Sequence, residues 1–269
     1  MIHVGVDVHK GYCQACLKDE HGTILEEIRF QNNLEGADKL AVILGKHREA
    51  RVALESTGNL WVKLYDRLDQ EENIDVILTN PKKTRVIAEA KIKTDKIDAR
   101  LLADLVRADL VARSYVPPID IRMQRALLRE RISLVESRTM IKNQIHALLD
   151  KYELTSSYTD LFGKKGMEWL RSLNLPGIDE TILEVNLQRL EELEVHIEAY
   201  TCRIAREAVV KPEARLLMGF TGIDYYSAML LASEIGDIAR FPQPRNSSHT
   251  LDWRQAQDNP ATKPFTDTS

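Results

Sequence analysis

Four acidic residues have the types and positions expected of ligands for a hard divalent cation. Asp7 and Glu55 each come near the C-terminal end of a short apolar segment that we predict to be a β-strand, and ligands gather at such strand ends in α/β sheets. Asp95 and Asp98 are three residues apart, so a helix over this segment places both carboxylates on one face. For Asp7 or Glu55 alone a structural cap is an equal alternative, and for Asp95 and Asp98 the alternative is N-terminal capping of the helix and compensation of its dipole. Together the four predict a site for Mg²⁺ or another divalent cation, a cofactor that supports displacement at a phosphodiester.

The elements that must position these acids form a mixed α/β pattern. We predict a three-stranded antiparallel meander, two further strands, and helices between and after them. The strands are predicted over 2–9, 12–17, 23–30, 51–55 and 74–78, and the helices over 34–47, 58–68, from Asn80-Pro81, and from the N-cap Thr94 to about residue 110. This order occurs in ribonuclease-H-like nucleases and in sugar-kinase/actin ATPases. The ATPase alternative requires glycine-rich phosphate loops, which we do not find in the sequence.

The second half of the sequence is helical. After Pro117-Pro118 we predict long helices over 119–152 and 179–210, each with apolar residues at intervals of seven: Leu127, Leu134, Ile141 and Leu148 in one, Leu183, Leu190, Ile197 and Ile204 in the other. The spacing favours a coiled coil or dimerising hairpin, and two core helices of a bundle are the alternative. A glycine-containing turn over 218–223 precedes an apolar helix over 225–234. Residues 246–269 lack an apolar period, and we expect them to be disordered.

Composition indicates a globular protein with a local excess of positive charge. The 269 residues are 43% hydrophobic and carry a net charge of −4, without an apolar run long enough for a membrane span. The first residues have no secretory signal pattern, so we expect a cytoplasmic location. Between Lys82 and Lys142 there are 15 basic and 8 acidic residues. This segment is either a polyanion-binding face or a solvated helix surface.

Several polar residues near the acids admit two interpretations. Lys93, Lys96 and Arg100 either contact nucleic-acid phosphates or solvate a helix. His9 is interpreted as a surface histidine, with a supporting role beside Asp7 as the alternative. Cys13 and Cys16 form a C-x-x-C pair. Residues three apart on a strand point to opposite faces, which argues against a zinc or redox site.

Four segments of the sequence resemble one family in that family's own order. VGVDVHKG, ALESTG and KTDKIDA resemble the DEDD, RuvC-like transposases of bacterial insertion sequences, insertion-sequence family one-ten, and GFTGIDYYSAMLLASEIGDIARF resembles the start of that family's second domain. The resemblance covers about residues 2–241. It implies a ribonuclease-H-like (RuvC-like) mixed-sheet domain over 1–116, a helical coiled-coil region over 117–210, the start of a C-terminal transposase domain over 211–245, and a non-family tail over 246–269.

The resemblance also implies roles for single residues and partners. The family's first Asp falls on Asp7, its Glu on Glu55, and its D-x-x-D pair on Asp95 and Asp98. These acids would hold Mg²⁺ or another divalent cation for strand transfer in DNA transposition. The implied partners are the DNA of the element's ends and of the target, a guide RNA in some members, and further copies of the chain through the coiled coil, with no membrane involved.

The sequence departs from the family pattern after Phe241. Family members carry a nucleophilic serine in the continued C-terminal domain, and the context of Ser247 and Ser248 does not match it. The nucleophilic serine is therefore unassigned. The departure predicts a C-terminally truncated or frameshifted chain, and the alternative function is an inactive remnant that keeps nucleic-acid binding and oligomerisation.

Overall fold

Five strands form one mixed sheet near the N-terminus. They are β1 (Ile2–Val8), β2 (Tyr12–Lys18), β3 (Ile24–Gln31), β4 (Ala50–Ser56) and β5 (Ile74–Leu78). Their order across the sheet is β3-β2-β1-β4-β5. The first three strands are antiparallel neighbours, whereas β4 runs parallel to both β1 and β5. The predicted meander and mixed sheet are confirmed, and the topology is consistent with a ribonuclease-H-like transposase domain.

The computed structural model describes residues 1–56, 58–80 and 94–241. Lys93, the helix predicted from Asn80-Pro81, the tail over 246–269, and Ser247 and Ser248 lie outside the described residues. The chain divides into two units, one over Met1–Val116 and the other from Pro117 onward.

Different helices cover the two faces of the sheet. On one face, α1 (Leu34–Leu44) and α2 (Val62–Leu68) pack against the alternating valines of β1, with Leu40, Leu64 and Leu68 buried in the same cluster. On the other face lies α3 (Asp95–Arg107), which begins at the predicted N-cap: the Thr94 hydroxyl accepts a hydrogen bond from the backbone N–H of Ile97 at 3.3 Å. The face of β1 that carries Asp7 is therefore the face that meets α3.

Gly5 allows α3 to lie directly on β1. A Cβ atom at Gly5 would stand 2.2 Å from the carbonyl oxygen of Ala99 and 2.4 Å from the backbone nitrogen of Ala103. No other residue type fits that gap without moving the helix. Asp7 is two residues further along β1 and thus on the same face, so this close approach brings the N-terminus of α3 towards it.

Three predicted helix boundaries are wrong. The helix predicted over 34–47 ends at Leu44, and the other two boundaries differ for a backbone reason. The helix predicted from Gly58 begins at Val62, and Gly58 has φ +60°, which an α-helix does not accept. The helix predicted to about residue 110 ends at Arg107, and Asp109 follows with φ +54°. In both places a left-handed residue sets the boundary.

The regular elements in the described part of the second unit are all helices. Two 33-residue helices, α4 (Ile119–Lys151) and α6 (Ile178–Val210), pack on each other. Between them lies the short α5 (Lys164–Arg171), and α7 (Pro212–Met218), α8 (Tyr225–Ile235) and a 3₁₀ turn (Ile238–Arg240) follow. The four predicted seam leucines and isoleucines of α6 are all buried. Among the described residues, no helix is both long enough and apolar enough to cross a membrane.

Candidate metal centre

Asp7 and Glu55 are neighbours across two parallel strands. Asp7 is the sixth residue of β1, and the register of the sheet places it beside Glu55 of β4. Side chains of paired residues on adjacent strands point to the same face. The side chain of Asp7 is 16% exposed, and Glu55 is half-buried. The two strands therefore present two carboxylates at one edge of the sheet.

The first turn of α3 supplies the other two acids. Asp95 is the first residue of α3, and Asp98 lies in the same turn. One ligand atom from each of Asp7, His9 and Asp95 lies within 4.8 Å of the other two. Asp98 is close enough for its charge to act on Asp7. The structure thus brings Asp7 and Asp95 together with His9, while Asp98 lies in the same turn as Asp95 and Glu55 lies beside Asp7 in the sheet.

His9 lies between two of the carboxylates. Its Nε2 is 3.0 Å from Oδ2 of Asp7 and 3.3 Å from Oδ1 of Asp95. The interpretation of His9 as a surface histidine without partners is therefore wrong. The sequence carried a usable signal, because His9 is two residues from Asp7 and such a spacing keeps two side chains on one side of an extended segment.

Tyr12, which no sequence pattern connects with the acids, contacts this site. Its hydroxyl donates a hydrogen bond to Oδ2 of Asp95 at 2.7 Å. Its ring lies against the ring of His9, with 4.8 Å between centroids, and the guanidinium of Arg29 stands 3.8 Å from its centroid. The residue begins β2, but nothing in the sequence connects it with an acid 83 residues away.

Two carboxylates of the site have opposite pKa shifts. Burial raises the pKa of Asp7 above its ordinary value of 3.8, and the charges of Asp95 and Asp98 also raise it, while His9 opposes the shift. The hydrogen bond from Tyr12 is the largest cause that lowers the pKa of Asp95. Of these two carboxylates, Asp7 is therefore the one whose charged form gains more from a nearby cation.

The donor set fits a divalent cation. Carboxylate oxygens are the ligands that Mg²⁺ and Mn²⁺ prefer, and the imidazole of His9 adds a nitrogen donor that Mn²⁺ accepts more readily than Mg²⁺. Several negative charges meet at one partly buried place, and a bound cation offsets their mutual repulsion. Asp7, His9 and Asp95 could supply ligand atoms directly, with Asp98 and Glu55 close by.

The basic residues of the predicted nucleic-acid contact have different surroundings. Lys96 is exposed on the first turn of α3. Arg100 donates two hydrogen bonds to Glu27, at 2.6 and 2.9 Å, so its guanidinium already has a carboxylate partner. Lys93 lies outside the described residues.

The two cysteines of the C-x-x-C pair do not form a metal site with each other. Both are buried, and Cys13 packs in the cluster on the α1 side of the sheet. Cys16 is paired with Gly5 of β1 and so points to the α3 side. Burial raises the pKa of Cys13 to about 12, which keeps its thiol protonated. The expected placement on opposite faces is confirmed.

Comparison with known proteins identifies relatives of one kind. The family model of the DEDD transposases of IS110 type, described as a transposase, matches residues 4–153, more than half of the chain. The transposase for insertion sequence element IS1533 of Leptospira borgpetersenii is 27% identical over 277 residues, covering 94% of this chain and 76% of the relative. That for IS1111A of Coxiella burnetii is 23% identical over 252 residues, covering 91% and 66%.

A third relative matches the N-terminal part more closely. The protein y4qE of Sinorhizobium fredii is 31% identical over 159 residues, 58% of this chain. The chain spans 37% of the length of y4qE and 66% of the IS1111A protein. The matched family segment contains all four acids of the candidate site and the whole sheet except the first two residues of β1, and the protein therefore belongs to the DEDD transposase family of IS110 type.

Proposed function

We propose that the protein is the DNA transposase of an insertion sequence, and that Asp7, Glu55, Asp95 and Asp98 hold a divalent cation, Mg²⁺, during phosphodiester strand transfer. One observation carries the proposal. Asp7 and Asp95, which are 88 residues apart in the chain, lie with His9 in a group whose ligand atoms are within 4.8 Å of one another. Membership in a transposase family gives this arrangement its reaction.

The residues of the site have distinct roles in this proposal. Asp7 and Asp95 offer carboxylate oxygens from a strand end and a helix N-terminus, and Glu55 and Asp98 add charge from the next strand and the same turn. When bound, Mg²⁺ supplies Lewis-acid stabilisation of the oxygens at the reacting phosphate. His9 lies between Asp7 and Asp95 and offers a nitrogen donor beside their carboxylates. Lys96, exposed beside the acids, contacts a backbone phosphate, as does Lys93; Arg100 would have to release Glu27 to do the same.

The partners in this proposal are DNA at the element's ends, target DNA, a guide RNA and a second copy of the chain. A cytoplasmic location belongs to the same proposal, because the DNA of a bacterial insertion sequence lies there. Self-association through the long helices is supported by three apolar residues of α6, Ile178, Ile182 and Val185, which are 71%, 43% and 48% exposed. Their spacing of four and three residues places them on one face of the helix.

The test compares two substitutions of Asp by Asn on the same unit. Asp95→Asn should weaken binding of Mn²⁺, followed by electron paramagnetic resonance, by at least about tenfold, because a charged ligand becomes neutral. It should also abolish Mg²⁺-dependent cleavage of DNA taken from the flanks of the protein's own gene.

Asp109→Asn is the matched control. Asp109 is 83% exposed, pairs with Arg51, and has a positive φ that Asn also tolerates. It should bind Mn²⁺ and cleave DNA as the unaltered protein does. Equal Mn²⁺ affinity of the Asp95→Asn protein and the unaltered protein would contradict the proposed metal site.

A further inference from the structure

The two oxygens of the Asp95 carboxylate have different partners, and Tyr12 is the partner of one of them. The Tyr12 hydroxyl donates to Oδ2 at 2.7 Å. The other oxygen, Oδ1, lies 3.3 Å from Nε2 of His9, on the side where Asp7 also lies. A carboxylate that accepts a hydrogen bond on one oxygen has its rotation restricted and its other oxygen aimed. Asp95 needs such a restraint, since its side chain is 41% exposed at the start of a helix.

The ring of Tyr12 itself contacts two neighbours. It lies against the imidazole of His9, with 4.8 Å between centroids and an angle of 38° between the ring planes. The guanidinium of Arg29, from the neighbouring strand β3, stands 3.8 Å from the ring centroid, the geometry of a cation–π contact. Tyr12 thus touches both His9 and Asp95, two of the three residues that offer ligand atoms.

We infer that Tyr12 is a positioning residue of the metal centre: its hydroxyl determines which oxygen of Asp95 faces the cation, and its ring fixes the place of His9. The inference rests on the proposed metal site and deepens it. Partners that hydrogen-bond to a metal ligand orient that ligand, and their loss typically lowers metal affinity or activity 10–100-fold. Tyr12 has this relation to Asp95 from a different element of the fold, β2 rather than α3.

The test uses Tyr12→Phe in the full chain with Mn²⁺ as the probe, measured by electron paramagnetic resonance. Phe keeps the ring that contacts His9 and Arg29 and removes the hydroxyl alone. We expect the affinity for Mn²⁺ to fall about 10–100-fold, and the unfolding temperature of the metal-free protein to stay close to that of the unaltered chain. A loss of affinity that is matched by a large fall in this temperature would mean a structural role and overturn the inference.

Tyr152→Phe is the matched control. Tyr152 also donates its hydroxyl to an aspartate, Asp179, but in the second unit. Tyr152→Phe removes the same kind of hydroxyl–carboxylate hydrogen bond from residues outside the candidate metal centre, so Mn²⁺ binding should not change. An equal loss of affinity in Tyr12→Phe and Tyr152→Phe would contradict a role specific to Asp95.

A double-mutant cycle with Asp95→Asn separates this inference from the proposed function. If Tyr12 acts through Asp95, Tyr12→Phe causes no further loss of Mn²⁺ affinity in the Asp95→Asn protein. A further loss of full size would overturn the inference. If Asp95→Asn weakens binding and Tyr12→Phe does not, the inference fails while the metal site stands. If Asp95→Asn itself leaves Mn²⁺ binding unchanged, the proposed site fails and the inference with it.

Discussion

Asp7 and Asp95 lie in the same group of acidic residues, but their surroundings shift their pKa values in opposite directions. Asp7 is largely buried, which raises its pKa, whereas Asp95 accepts a hydrogen bond from Tyr12, which lowers its pKa. Asp95 is therefore stable as an anion without a cation, and Asp7 gains most from one. A divalent ion that binds both carboxylates would therefore stabilise the charged form of Asp7 more than that of Asp95.

Asp179 gives a pH-dependent contribution to stability that can be measured apart from the metal centre. It lies in the first turn of α6 and accepts hydrogen bonds from Lys151 and Tyr152 at the end of α4, which lower its pKa below 3.8. Because the pKa is lowered in the folded state, this contribution is complete above the ordinary value and is lost as the pH falls through the lower folded value.

Asp179→Asn should therefore lower the free energy of unfolding at neutral pH, and the difference from the unaltered protein should disappear in acid. We expect a constant difference from pH 7 down to about pH 5 and a shrinking one below about pH 4. Urea denaturation at a series of pH values measures it. If the difference in unfolding free energy stayed constant into acid, the charge of Asp179 would not be what stabilises the contact between α4 and α6.

The residues of the site were only partly predictable. Asp7, Glu55, Asp95 and Asp98 could be chosen because acids at apolar strand ends and an i,i+3 acid pair repel one another unless a cation lies between them. Tyr12 could not, because its role depends on where a distant helix N-terminus docks. The position of His9 depends on the turn between β1 and β2, where the backbone N–H of His9 donates a hydrogen bond to the backbone carbonyl of Tyr12 at 2.9 Å.

At the scale of elements, the contact between β1 and α3 decides whether the site forms. Gly5→Ala places a Cβ atom 2.2 Å from a backbone oxygen of α3, so the helix must move. We expect a loss of about 1–3 kcal/mol in unfolding free energy, as for other overpacked interiors. Mn²⁺ affinity should also fall, since Asp95 moves with the helix. Denaturation and metal titration measure the two effects.

Gly11→Ala is the comparison for that experiment. A Cβ atom at Gly11 meets nothing within 4 Å, and its φ is not positive. This variant should keep both its stability and its Mn²⁺ affinity. If Gly5→Ala also kept both, close packing of α3 on β1 would not be what positions Asp95.

Regular elements followed from the sequence where their pattern was local. The five strands appear within a residue or two of their predicted ends, because alternating valines and turn residues specify them directly. The heptad pattern in α4 was less informative. Leu128, rather than the predicted Leu127, is buried there, in a cluster with Ile204 of α6 and Met229 of α8. A third helix packs on this part of α4, so a two-helix seam does not describe it.

Several basic residues of the segment between Lys82 and Lys142 have partners within the protein, in contacts made by α4. Arg125 donates to the backbone carbonyls of Ser233 and Glu234, Arg131 to the hydroxyl of Thr201, and Arg138 to the carboxylate of Glu194. Part of the excess positive charge in the sequence thus joins helices to one another. The interpretation as a phosphate-binding face is weakened for these three arginines.

At the scale of the whole molecule, the proposed self-association can be tested on α6. Ile182→Glu places a charge in the exposed apolar face formed with Ile178 and Val185. We expect the association constant, measured by sedimentation equilibrium, to fall at least about tenfold, which corresponds to about 1.4 kcal/mol. Val195→Glu, at a residue 69% exposed on another side of the same helix, should leave it unchanged. A monomeric unaltered chain would contradict the proposal.

The docking of α3 on Gly5 has a consequence for the order of events during synthesis. Asp7 leaves the ribosome 88 residues before Asp95, an interval of roughly 4–18 s at bacterial elongation rates. During that time the nascent chain holds the first carboxylate and then Glu55, but not the acids of α3. A nascent chain whose α3 has not yet emerged cannot assemble the centre that we propose, so binding of a divalent cation there can begin only after this helix has emerged and docked.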